Sequence, residues 1–412
     1  MWLTLIPYGR VPKAAIELEL RTGVIDEGPN DVSLSSVVAD LMLEGTTTRT
    51  AQQISREAAD MGSSLGVSAG AETMSLNGEV LSEFASRFIE LVADVARNPR
   101  FDSTDLSRVI DRHARDNAIA LAQPGTQSQN AFRAMMYGNH PFAHVFPTEV
   151  MLRGFTVARV RDFYSKNVSA ARAHLYVSGI FDAAAVERAA RHAFENWPAG
   201  SPPTVRPPTP IAKRQLAVID RPKSVQSSIW MGLPVADPSS PDWVKMNVTD
   251  ALLGGAFGSR ITTNIREDKG YTYSPYSFLW TRKGSTLWVE VADVTTNVTG
   301  PALTEIVKEI NRLRTEPAPE QELTGIKNNL AGIFTIQNSS RTGVINQLQF
   351  TDLHGLDDAY LANYVKSVMA VTPDDVRATA QKYVDPDKIA IAVVGDRKLI
   401  DKQLGEVKPV VP

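Results

Sequence analysis

Two side chains seven residues apart, Arg266 and Tyr273, carry the clearest chemistry in this sequence. Both are hydrogen-bond donors. The guanidinium is always charged and offers a rigid fork of N–H groups, and the phenol adds one O–H. Neither acts as a base or a nucleophile at neutral pH. Such a pair suits gripping a carbonyl oxygen and stabilising the charge that develops on it during acyl transfer. Spacing alone favours a plainer reading, a surface helix cation and a tyrosine packed on the core.

The surrounding stretch, LGGAFGSRITTNIREDKGYTYSPY from Leu253 to Tyr276, predicts how the two are positioned. Gly254 and Gly255 stand where a helical pattern from Trp243 to Leu253 would stop. A second helix starts at Ser259, with Ile261 and Ile265 on one apolar face. Lys269 and Gly270 end it, a cation facing the helix dipole and a residue tolerant of the left-handed cap. A strand rich in aromatics follows from Tyr271. Arg266 then sits near a helix end and Tyr273 just inside the strand, and one turn brings both into the same groove.

The run GGAFGSRITTNIREDKGYTYS resembles the C-terminal-domain signature of the pitrilysin/insulinase-like zinc metallopeptidases, which include the mitochondrial processing peptidases. The resemblance puts the functional arginine and tyrosine of that family on Arg266 and Tyr273. Weaker similarity extends over nearly the whole chain. In catalytic members the first domain carries H-x-x-E-H, whose histidines bind zinc and whose glutamate activates water, and a later glutamate completes the metal site. Here MLEGTTTRTAQQISREAADMG, Met42 to Gly62, resembles the segment just after that motif. Counting back from Gly45 puts the motif positions on Ser36, Ala39 and Asp40, and the later glutamate falls at or next to Asp116.

All of these are replaced. Serine is a poor zinc ligand, Ala39 cannot be a base, and two aspartates do not make a three-ligand catalytic site. Asp40 and Asp116 with waters would suit only a hard cation. The ordinary role of such acids is to be solvated or to pair, here with Arg115. The resemblance therefore implies the non-catalytic subunit of a heterodimeric zinc metallopeptidase, with no cofactor of its own. Zinc is expected in a partner, either a homologous subunit bearing H-x-x-E-H or a fused half, and the expected substrate is an unfolded peptide. The alternative is a non-enzymatic scaffold or peptide-binding subunit of a larger complex, like the family members built into respiratory complexes.

No other motif competes. His140 and His144 have the spacing of helical zinc ligands, but Pro141 and Pro147 make NHPFAHVFP a loop. His113, His174, His192 and His354 are scattered. There is no phosphate-binding glycine loop or cysteine nucleophile.

At 412 residues, 43% hydrophobic and 22% charged, the chain has the composition of a globular protein of two or more domains. A net charge of -3 gives no electrostatic reason to expect nucleic acid as partner. No apolar run approaches the ~20 residues that span a bilayer. The absence of cysteine excludes thiolate metal sites and leaves a periplasmic or cytoplasmic address open. MWLTLIPYGRVPKA has no signal-peptide pattern and reads as mid-strand, so the N-terminus is expected to be trimmed.

Strands and helices alternate twice over. FTVARVRDFYSKNVSAARAHLYVSG, Phe155 to Gly179, aligns without gaps on VTPDDVRATAQKYVDPDKIAIAVVG, Val371 to Gly395. Two copies at so long a period mean two homologous domains. The expected fold is α+β, each domain a mostly antiparallel sheet with helices packed on one face. The proline-rich connector around Trp197–Pro210 suggests domains at 1–200 and 213–412, joined by 201–212.

Overall fold

The computed structural model describes residues 1–406, and they form two sheets built on one plan. The first contains β1 (Trp2–Pro7), β2 (Lys13–Leu20), β3 (Gly66–Ala69), β4 (Met74–Leu81) and β5 (Ala173–Gly179), in the order β1-β5-β2-β4-β3. The second contains β6 (Gln215–Asp220), β7 (Gln226–Val235), β8 (Tyr276–Arg282), β9 (Ser285–Thr295) and β10 (Ala390–Gly395), in the order β6-β10-β7-β9-β8. One pair in each sheet is parallel, β1 with β5 and β6 with β10, and the others are antiparallel.

The internal repeat explains the matching plans. Val177 lies opposite Leu5 and Ile16, and its repeat partner Val393 lies opposite Val218 and Ile229. The helices Val157–Asn167 and Pro373–Tyr383 begin alike too. Thr156 accepts a hydrogen bond from the Arg159 amide and Thr372 one from the Asp375 amide, the N-cap arrangement that satisfies an otherwise orphaned first-turn donor. The predicted α+β class and mostly antiparallel sheets hold.

Two compact units result. One comprises residues 1–118, 144–206 and 337–349; the other comprises 119–143, 207–336 and 350–412, of which 407–412 lie outside the described residues. Each has its own apolar core. In the first, Ile16, Leu18 and Leu20 of β2 meet Val37, Val38 and Leu41 of the helix Leu34–Met42 and Phe88, Leu91 and Val92 of the helix Ala85–Arg97. In the second, Ile229, Trp288 and Val393 meet Met246, Ile261, Ile265 and Ile306.

The second face of each sheet is also partly covered. The alternation in β2 sets Glu17 and Glu19 opposite its apolar side, yet both are buried, 7% and 3% exposed. Ile345 covers that face, packing on Ala15 and Tyr176, and Glu19 pairs with Arg21 at 2.9 Å. In the second unit the helix Pro124–Tyr137 lies against β7 and β10. Its leading proline sits in the first turn, where no N–H is needed, so it starts a helix where a proline reads as a break. No helix among the described residues is long and apolar enough to cross a membrane.

Candidate functional site

The segment from Trp243 to Tyr276 is wound more unusually than its sequence predicts. The helix Trp243–Asp250 does not stop at the glycine pair but widens into a π-turn, Ala251–Gly255, that includes both glycines. The reason is space. A methyl group on Gly254 would meet Glu290 Oε2 and Ser277 Oγ at 2.6 Å each, and one on Gly255 would meet Asp250 Oδ2 at 2.8 Å. Only glycine lets the backbone pass this close to two buried carboxyl groups. Ser259 then precedes a helical turn, Arg260–Thr262, with its hydroxyl on Thr262 Oγ1 at 3.0 Å and not on a first-turn amide, and the turn opens into a second π-turn, Thr263–Asp268, carrying Arg266. π-Turns recur at functional sites because the extra residue re-aims a side chain.

That second turn is clamped from below. Ile261 and Ile265 are fully buried, as the periodicity predicts. Arg260 makes a two-pronged pair with Glu322 at 2.8 and 2.9 Å. Asn264 donates to Glu305 at 2.9 Å and to Glu309 at 2.7 Å. Gly270, at φ +64, reverses the chain as expected, and the Tyr271 amide returns to the Ile265 carbonyl at 2.8 Å. The strand expected from Tyr271 begins later. Only Thr272 bridges to Val294, Ser274-Pro275 interrupts the pairing, and β8 starts at Tyr276. Tyr273 therefore stands in a bend, 80% exposed, and not inside a strand.

Arg266 and Tyr273 are brought together. The Arg266 Cζ lies over the Tyr273 ring, 5.2 Å from its centroid, and over the Phe257 ring at 4.5 Å. Arg266 Nε contacts Glu267 at 3.2 Å. Nothing among the described residues accepts a hydrogen bond from the Tyr273 hydroxyl. Phe257 was not singled out from sequence, although an aromatic in the glycine-rich GGAFGS turn is a signal, since it has little core to pack on.

The four positions assigned to the altered metal motif lie in the other unit. Ser36, Ala39 and Asp40 are on the helix Leu34–Met42, and Asp116 is exposed on the helix Ser103–Leu121. Asp40 is not paired with Arg115, as expected, but with the neighbours one turn back. His113 Nε2 donates to Asp40 Oδ2 at 2.6 Å, and Arg112 Nη2 approaches the same oxygen at 2.9 Å. Burial alone would raise the Asp40 carboxyl, but the hydrogen bonds from His113 and Arg112 outweigh it and hold it below the ordinary aspartate value. His113, scattered in the sequence, was legible only as the residue one turn from Asp116 on the same helix. These residues do not fit a zinc ion. Ala39 is buried without a donor atom, Asp40 is engaged by a guanidinium, and no group of three metal-capable side chains gathers among the described residues.

The family model described as insulinase, peptidase family M16, matches residues 7–143, and that of the peptidase M16 inactive domain matches residues 154–330. The chain belongs to peptidase family M16. Among M16 relatives, an uncharacterised zinc protease of Streptomyces coelicolor is 24% identical over 404 residues, covering 95% of this chain and 86% of that protein. A crystal structure of a peptidase M16 inactive domain from Pseudomonas fluorescens superposes with a TM-score of 0.89 at 21% identity, covering 96% of this chain and 95% of that one. A chain of complex III2 from Candida albicans, with Inz-5 bound, gives 0.81 at 13% identity, covering 98% and 97%. At these identities the structures establish the fold. This is an M16 protein of the inactive type.

Two further features of this M16 chain surround the Arg266–Tyr273 segment. A cavity of about 790 Å³ opens beside it, lined among others by Arg221, Lys223, Trp230, Ser274, Tyr276 and Asp293. Beneath the glycine pair, Asp250 and Glu290 are buried without an ion-pair partner among the described residues. Ser277 donates to Asp250 Oδ1 at 2.6 Å, whereas both Glu290 carboxyl oxygens lack a hydrogen-bond partner. Burial pushes the Asp250 carboxyl up to about 7. Burial, and then the nearby Asp250 charge, holds Glu290 well above the usual carboxylate range. A buried carboxyl pair that resists ionisation thus lies beneath the turn that presents Phe257 and Arg266.

Proposed function

We propose that this chain is the non-catalytic subunit of a two-part zinc peptidase, and that it lends Arg266 and Tyr273 to the active site of an M16 partner bearing H-x-x-E-H. The observation that carries this reading is the pairing of the two donors on an open surface, 5.2 Å from guanidinium carbon to ring centroid, with no group of three metal-capable side chains among the described residues. Donors without a base have little to do alone. Beside a metal site they bind a peptide carbonyl and stabilise its oxyanion. In this reading Ser36, Ala39, Asp40 and Asp116 stand where a catalytic member keeps its zinc ligands and base.

The division of labour follows from the chemistry. A zinc ion held by the partner's H-x-x-E-H would supply water activation and carbonyl polarisation. Arg266 supplies a charged donor to the carbonyl oxygen of the bound peptide, and Tyr273 an O–H aimed at the oxygen as it becomes tetrahedral and negative. Unfolded peptides are the substrate class, because two such halves enclose a chamber that a folded protein cannot enter. Tyr273→Phe should lower kcat of the assembled pair by ~10²–10³, the usual cost of one oxyanion donor, while assembly and zinc content stay unchanged. Steady-state kinetics on the reconstituted pair measures this. Unchanged kcat in both Tyr273→Phe and Arg266→Ala would leave a second reading, a scaffold or peptide-binding subunit, which draws support from the fold shared with a chain of complex III2.

A further inference from the structure

Phe257 is a large apolar side chain that the fold leaves 75% exposed. Burying such a ring would stabilise the fold, and a surface position forgoes most of that stabilisation. It is held between the close-packed glycine pair and the turn that begins after Ser259. The Ala256 amide bonds to the Ala251 carbonyl at 3.0 Å, and the Ser259 amide to the Ala256 carbonyl at 2.9 Å. The ring contact it makes is with Arg266, 4.5 Å from centroid to Cζ, closer than that of Tyr273. A guanidinium over an aromatic ring engages the ring through its face. Its N–H groups lie in its plane and stay available to an acceptor.

On this basis, and resting on the function proposed above, we infer that Phe257 is a positioning residue: with Tyr273 it fixes the plane of the Arg266 guanidinium so that the N–H edge meets the substrate carbonyl. A long arginine at 25% side-chain exposure otherwise samples many rotamers, and ordering it at the moment of reaction costs rate. Glu267 restrains the Nε atom alone and cannot set the plane.

The test is a double-mutant cycle in the reconstituted pair, with a fluorogenic unfolded peptide as substrate. Phe257→Ala should lower kcat/KM about two- to fivefold, the range of an exposed cation–π contact. Phe257→Trp, which keeps a ring, should restore the rate, and Phe257→Leu should not. On an Arg266→Ala background, Phe257→Ala should have no further effect, and melting temperatures of all variants should agree because the ring is exposed. A loss that persists on that background, or no loss in Phe257→Ala while Arg266→Ala is impaired, overturns the inference and leaves the proposed function standing. Normal turnover in Arg266→Ala overturns the inference, and normal turnover in Tyr273→Phe as well overturns both. In the chain alone, the Arg266 Nε–H resonance should move when Phe257→Leu removes the ring current; an unmoved resonance also refutes the contact.

Discussion

Glu290→Gln should make this protein less sensitive to pH and more stable above neutrality. An acid whose folded pKa exceeds its unfolded one binds more protons folded than unfolded. Its contribution to stability is full below the unfolded value and declines as pH rises toward the folded one. Glu290 starts from an ordinary value of 4.5 and is held well above it, fully buried with both oxygens unpartnered. Each pH unit between the unfolded and the folded value costs ~1.4 kcal/mol per proton bound. Relaxation and water entry reduce this, and a gain of ~2–4 kcal/mol for the variant at pH 8 is the working figure. Glutamine has the same shape and stays neutral, so at pH 5 the two proteins should differ little.

Asp250, raised to about 7, declines in stability over the same interval, and so does Glu27 of the other unit, which burial also raises to about 7. Glu27 is common to both proteins and cancels in the difference. For a unit of this size a gain of ~3 kcal/mol appears as a rise of about 6–12 °C in Tm. Melting curves at pH 5, 6, 7 and 8, followed by tryptophan fluorescence, measure it. Parallel Tm-against-pH lines for the two proteins would refute the reasoning, since they would mean that Glu290 ionises freely in the folded state.

Gly254→Ala should destabilise the second unit by about 1–3 kcal/mol, because its methyl group would meet Glu290 and Ser277 at 2.6 Å and the core must shift; urea denaturation measures it, and neutrality would count against the close packing. The chain alone, dialysed and analysed by mass spectrometry, should hold no stoichiometric zinc and cleave no peptide. One tightly held zinc ion would overturn the assignment of Ser36, Ala39, Asp40 and Asp116 to the altered motif.

What the sequence determined lies mostly within a few residues or a repeat. The alignment of Phe155–Gly179 on Val371–Gly395 implied two equivalent sheets, and β5 and β10 occupy matching places in them. The apolar spacing of Ile261 and Ile265, the serine start and the Gly270 end are local signals, and the helical turn obeys them because caps and periodicity act over one or two turns. Tertiary structure decided the rest. His113 and Asp40 are 73 residues apart, and their contact depends on how two helices are set by the core. Glu290 in WVEVADV and Asp250 in a helical run read as ordinary acids; only the packing of β9 under the glycine pair removes them from water. The same packing turns an expected helix stop into a π-turn, and the bend at Ser274-Pro275 takes Tyr273 out of the strand. Side-chain chemistry is written residue by residue, but burial, charge pairing and the aim of a guanidinium are properties of elements that meet only after folding.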